Sequence, residues 1–192
     1  MKLGRRVAAI LLLGNLLAPA FAGNEIDRIV RKHSVWIRAG LSWEPDPGEP
    51  TQKFASATIL YFGEDGKFGF FGGVALRRGS HLALSEGEGD RVYSGSWATI
   101  NEGIQVNYRL VDSYKIMQLE GQKPPEIPGP MKHTTILLEQ SSDGKAGKLQ
   151  QLQFEGIKYE AAPSFRVSQL RSMLEHFDRA GQTNMSSDSA PH

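Results

Sequence analysis

The sequence predicts a mainly β fold, an antiparallel up-and-down barrel of about eight strands followed by a C-terminal α-helix. Short β-type runs recur every ten or so residues between Phe54 and Val111, and Gly-based turns divide them. Within one run, Lys67–Leu76, the aromatics Phe68, Phe70 and Phe71 are interleaved with Gly69, Gly72 and Gly73. Glycines inside a strand mark bulges, bends or close backbone approach, which the corners of a small closed barrel require.

The first 22 residues read as an export signal. Lys2, Arg5 and Arg6 form a charged start, Val7–Leu17 is apolar except for Gly14 and Asn15, and Ala20-Phe21-Ala22 is a small-x-small cleavage site. The apolar stretch of about 11 residues falls well short of the ~20 that span a bilayer, which argues against a membrane anchor. Cleavage is expected between Ala22 and Gly23, giving a periplasmic or secreted bacterial protein.

Residues 23–181 are expected to form a single barrel domain with its helix, and residues 182–192 a polar, disordered tail. The chain carries 22 basic and 21 acidic residues; without the three basic residues of the signal its net charge is −2. Near-neutrality argues against nucleic-acid binding, which needs a clustered basic surface. There is no cysteine, so disulfides, a lipobox anchor, thiol catalysis, Cys-ligated zinc and iron–sulfur clusters are excluded.

Along the chain, Ile26, Ile29, Val30 and His33 fit a short helix that leads into a first strand near His33–Ala39. Glu44–Gln52 holds three prolines and Gly48 and reads as an exposed loop. The meander follows as FASATILYF, KFGFFGGVAL, HLALS, RVYSGSW and GIQVNYRLV. Gly103–Val111 alternates strictly, with Ile104, Val106, Tyr108 and Leu110 on one face and Gln105, Asn107 and Arg109 on the other. Gln118–His133 contains four prolines and is a loop; its Pro125-Glu126-Ile127-Pro128 reads as a rigid connection or as a polyproline ligand. Strands resume at Thr134–Glu139, Leu149–Phe154 and Ile157–Ala161. A helix from about Ser164 to Arg179 buries Val167, Leu170, Leu174 and Phe177, packs outside the barrel or across a mouth, and ends at Gly181.

Chemistry is sparse. Glu86, Glu88 and Asp90 lie in a Gly-rich turn that lacks the ligand series of an EF-hand and reads as a solvated hairpin or a weak cation site. His33, His81, His133, His176 and His192 show no metal-ligand spacing. Gly95-Ser96-Trp97 lacks the second glycine of a nucleophile elbow, and no phosphate-binding glycine loop is present. No catalytic residue, metal site or cofactor is therefore assigned. The concentrated aromatics, Tyr93, Trp97 and Tyr108 among them, read either as core filling or as the walls of an apolar cavity.

Over Ala57–Val111, Tyr93-Ser94-Gly95-Ser96-Trp97 followed by Gly103-Ile104-Gln105-Val106-Asn107-Tyr108 resembles the lipocalin-like small barrels of bacterial envelope proteins. Lipocalins proper carry Gly-x-Trp on the first strand, whereas here it stands mid-chain, and no ligand-contact residue is carried over from them. The expectation is an exported, non-enzymatic binding or interaction module holding a small apolar ligand within the barrel. Ile104, Val106, Tyr108 and Leu110 are its candidate lining. The alternatives are an envelope hydrolase whose site is assembled by folding, around Glu86, Glu88, Asp90 and Arg91, and a scaffold or inhibitor that presents loops to another envelope protein.

Overall fold

The computed structural model describes residues 19–85, 91–101, 103–113, 126–140 and 150–187. Its elements, in chain order, are α1 (Pro19–Lys32), β1 (Val35–Arg38), β2 (Glu44–Pro45), β3 (Gln52–Phe62), β4 (Lys67–Arg78), β5 (His81–Ser85), β6 (Arg91–Ile100), β7 (Gly103–Ser113), β8 (Lys132–Gln140), β9 (Gln150–Phe154), β10 (Ile157–Ala161) and α2 (Val167–Ser187). Eight strands close on themselves in the order β1, β3, β4, β6, β7, β8, β9, β10, and every neighbouring pair is antiparallel. With β2 and β5 set aside, each barrel strand pairs with the next in sequence. This is the predicted up-and-down barrel, and closure leaves the eight strands no free edge.

Period-two alternation divides the apolar residues into two cores. The inner one draws on all eight barrel strands, through Trp36, Leu60, Phe62, Phe68, Trp97, Ile104, Val106, Tyr108, Ile136, Leu152, Phe154 and Tyr159. Ile26, Ile29 and Val30 of α1 join it, so α1 stoppers one end of the barrel, here the lower end. Arg31 fixes the stopper there. Its guanidinium lies 5.4 Å over the Trp97 ring, its Nε donates to Asp27 at 2.7 Å, and its Nη1 donates to the Glu64 carbonyl in the β3–β4 turn.

The outer core forms where α2 packs against the outside of the wall. Leu170 and Leu174 meet Val35, Ile37, Ile59, Tyr61, Phe71, Ala75, Leu84 and Val92. Gly69 makes that contact possible, because a Cβ there would stand 3.0 Å from Leu174 Cδ1 and 2.7 Å from the Phe71 ring. Each large side chain so buried contributes about 1.5–3 kcal/mol relative to exposure, and two such cores stand in place of disulfides.

Four sequence expectations change. HLALS, which reads as a barrel strand, is β5 and lies outside the barrel; it pairs with the upper end of β4, Val74–Arg78. Alternation shows that a strand has a buried face but not which strand it pairs with. The C-terminal helix begins at Val167 rather than at Ser164, because residues 164–166 are used to cover the free edge of β5. Leu82 N–H donates to the Ser164 carbonyl and Arg166 N–H to the Leu82 carbonyl. Helix α2 also runs through Gly181 to Ser187; one helical glycine costs only about 1 kcal/mol and does not force a stop. Within the expected loop Glu44–Gln52, Glu44 and Pro45 pair with Phe54 and Lys53 as the two-residue β2.

The Gln169 side chain completes the cover of β5, its Nε2 donating to the Leu84 carbonyl at 2.6 Å and its Oε1 accepting from Leu84 N–H at 3.2 Å. Gln169→Ala strips two backbone groups of their partner on a half-buried edge. A loss of about 1–3 kcal/mol is expected in urea denaturation, together with concentration-dependent self-association through the opened edge.

At the base of the stopper, His33 is half-buried beside Trp36, with ring centroids 6.2 Å apart, and its Nδ1 is enclosed without a hydrogen-bond partner. Burial, helped by the neighbouring Lys32 charge, holds its pKa below the ordinary 6.5. The unfolded chain therefore takes up a proton at this residue before the folded one does. Stability present above 6.5 falls as the pH drops through that value. Urea midpoints measured between about pH 7.5 and 5.5 are expected to decline, and His33→Gln to flatten the decline. An equal slope in the variant would contradict this assignment.

Candidate binding site at the upper mouth of the barrel

At the end opposite α1 the inward face changes character within one layer. Tyr108, Phe154 and Tyr159 are buried to within 1% and form a floor. One step higher on the same faces, Thr58, Phe70, Gly72, Val74, Tyr93 and Ile157 are half-buried, while Ser56 and Arg38 are exposed. Among the described residues the inward face is thus fully buried below and half-buried to exposed above. The opening is aromatic: Phe70 and Tyr93 stack at 5.2 Å, and Tyr93 meets Tyr108 edge-on at 5.8 Å. Gly72 keeps it wide, because among the described residues a Cβ at this position would find only Thr58 Cγ2, at 4.0 Å.

The polar groups of the mouth are arranged by strand register and one tight turn. Glu155 and Gly156 form the two-residue hairpin loop between β9 and β10, with φ of 49° and 77°. Positive φ at both positions is what a type I′ turn demands, and a glutamate there is uncommon. Its carboxylate accepts the Tyr108 hydroxyl proton at 2.6 Å. Burial first, and then this bond, push the Tyr108 phenol well above its usual range, so it remains a proton donor. Tyr159, raised by burial, shares a hydrogen bond with Thr58 at 2.9 Å. Lys132, paired with Tyr108 in the β7–β8 ladder, extends its Nζ over the Tyr93 and Tyr108 rings at 5.5 and 5.9 Å.

Ile104 and Val106 lie in the solid lower core, fully buried. Tyr108 lies at the boundary, and Leu110, paired with Tyr93, is half-buried at the mouth, where the Gly129 N–H donates to its carbonyl. The other face of β7 turns outward as expected, Gln105 being exposed and Asn107 Oδ1 accepting from His133 Nδ1–H at 2.6 Å. A bulge opposite Val92 and Tyr93 breaks the alternation above Leu110. Sequence reasoning missed Arg38, Gly72, Lys132 and Glu155, which come from four separate places in the chain and share no local motif.

The remaining candidates give less. The acidic turn Glu86, Glu88 and Asp90 and the signal cleavage site, Ala22 and Gly23, lie outside the residues whose side chains are described. Among the described residues no cluster of three His, Asp or Glu side chains could hold a metal. A concavity of about 310 Å³ lies outside the wall, between Trp43, Arg77, Leu82, Glu160 and Pro163. The Arg77 guanidinium is 5.8 Å from the Trp43 ring centroid. This hollow is where the chain leaves β10 to cover β5, so packing already accounts for it. No family model, curated protein or solved structure matches the chain.

Proposed function

We propose that this protein is an exported, non-enzymatic binding module that takes a small apolar or aromatic ligand into the upper mouth of its barrel. The observation that carries the reading is the step in the inward face, from a floor buried to within 1% to half-buried aromatics one layer above. Half-exposed aromatic surface inside a concave wall gains about 25 cal/mol per Å² when an apolar ligand covers it. An eight-stranded meander barrel that is just wide enough to hold one small ligand is also the plan of lipocalin-type carriers, and this likeness of plan supports the reading.

Export rests on the leader, with its charged start, short apolar core and Ala20-Phe21-Ala22. The described α1 residues of the inner core begin at Ile26, so a cut after Ala22 leaves them in place. Intact-mass measurement on protein from the native host is expected to show a chain starting at Gly23. A chain retaining residues 1–22 would refute export by cleavage.

The binding reading is tested with N-phenyl-1-naphthylamine, a neutral fluorescent probe. Saturable one-to-one binding is expected, weakened at least about tenfold in Gly72→Leu, which fills the mouth with about 1.5–3 kcal/mol of apolar contact the ligand would otherwise make. Equal binding by the two proteins would refute the site. A second reading, a scaffold presenting loops to another envelope protein, draws on Ile127 and Met131, both exposed beside the start of β8. It predicts that Gly72→Leu leaves function intact while Ile127→Ser with Met131→Ser abolishes it.

A further inference from the structure

We infer that the ligand of the mouth carries an anionic head group, a carboxylate or a group of like charge and size, on its apolar body; the inference rests on the binding reading above. Three cations stand around the mouth on three different strands. Arg38 of β1 shares the inward face with Trp36 and lies opposite Tyr159, whose ionisation its charge favours. Arg91 of β6 lies opposite Gly72, on the same face as Tyr93. Lys132 of β8 leans over the Tyr93 and Tyr108 rings. None of the three pairs with a carboxylate among the described residues.

The described acids nearby are Glu155, Glu126 and Asp112, the last opposite Val92 of the outer core and so on the outward face of β7. Glu155 is already engaged, as the acceptor of the Tyr108 proton, and Glu126 is exposed in the segment before β8. Among the described residues the inward face of the mouth therefore keeps a positive excess above an aromatic floor. A neutral apolar ligand would leave those three charges over a partly desolvated opening, whereas an anion would neutralise one or more of them by charge-assisted hydrogen bonds. Lys132 is held by ring faces rather than by a counter-ion, so it can meet such a head group without first breaking a salt bridge.

The test compares 2-naphthoate with its neutral isostere 2-naphthamide, following heat of binding and the ring signals of Tyr93 and Tyr108. Naphthoate is expected to bind at least about tenfold more tightly at low salt, since one charge-assisted hydrogen bond contributes that much. The advantage should shrink as salt rises to about 0.5 M and fall to near parity in Arg38→Gln/Arg91→Gln/Lys132→Gln. These side chains are exposed or at the rim, so the variant is expected to fold, and an unchanged urea midpoint checks this. If both probes bind equally to the native protein, the anionic assignment is overturned while the mouth stands as a binding site. If neither probe binds or moves the tyrosine signals, the binding reading fails and the inference with it.

Discussion

Phe154→Ala is expected to destabilise the protein by about 3–5 kcal/mol, a large share of the ~5–15 kcal/mol that holds a domain folded. Phe154 is 1% exposed at the centre of the inner core, and its ring contacts four others: Phe68 at 6.2 Å, Phe70 at 5.3 Å, Tyr108 at 5.7 Å and Tyr159 at 6.3 Å. Truncation removes the transfer energy of the ring and leaves a cavity that rings anchored on three other strands cannot collapse to fill. The floor of the mouth goes with it, so binding at the mouth should be lost even where the variant stays folded. Urea denaturation measures the first effect, and titration at low temperature the second. A loss below about 1 kcal/mol would mean that the interior is looser than described.

Gly95→Ala is expected to be at least as damaging, for the opposite reason. A Cβ on Gly95 would overlap the Asn107 carbonyl oxygen and stand 2.7 Å from both Asn107 C and Tyr108 Cα. These are backbone atoms of the paired strand β7, so no side chain can rotate aside. Relief requires β6 and β7 to part, and their ladder runs from Arg91↔Ser113 to Ile100↔Gly103 along the middle of the barrel. Overpacking ordinarily costs about 1–3 kcal/mol, and a clash with ladder backbone should exceed that range. The expected outcome is a protein that fails to reach the folded state, seen as lost dispersion in amide NMR spectra. Gly72→Ala provides the contrast. Among the described residues its Cβ meets only Thr58 Cγ2 at 4.0 Å, so stability should be unchanged within about 0.5 kcal/mol.

Much of the fold is legible in the residues because strand pairing here is local. Every barrel strand pairs with the next, so turn chemistry and alternation along β7 predict an up-and-down closure without any long-range information. Legibility ends where partners are distant. His81–Ser85 alternates like a barrel strand but is an outer flap, because residues 164–166 and Gln169, far away in sequence, cover its edge. The periodicity of Ile26, Ile29 and Val30 marks a helix, yet nothing local says that it stoppers a barrel.

The candidate site divides in the same way. The alternation of Ile104, Val106, Tyr108 and Leu110 places one strand face inward. Whether a given rung is solid or open depends on what seven other strands contribute at that height. At the rung of Ile104 and Val106 they contribute Trp97 and Ile136, above Tyr108 they contribute Tyr93 and Phe70, and one step higher Gly72 and Thr58. A single glycine one step above the Phe70–Tyr93 pair makes the difference, and it carries no signal in the sequence beyond being a glycine in a strand.

Native mass spectrometry of the protein purified from its own host, beside a denatured sample, tests the central claim most directly. An added mass of a few hundred daltons is expected on the chain from Gly23, released on denaturation and absent from Gly72→Leu. Equal native and denatured masses for the native protein, with Gly72→Leu indistinguishable from it, would contradict a ligand held at the mouth.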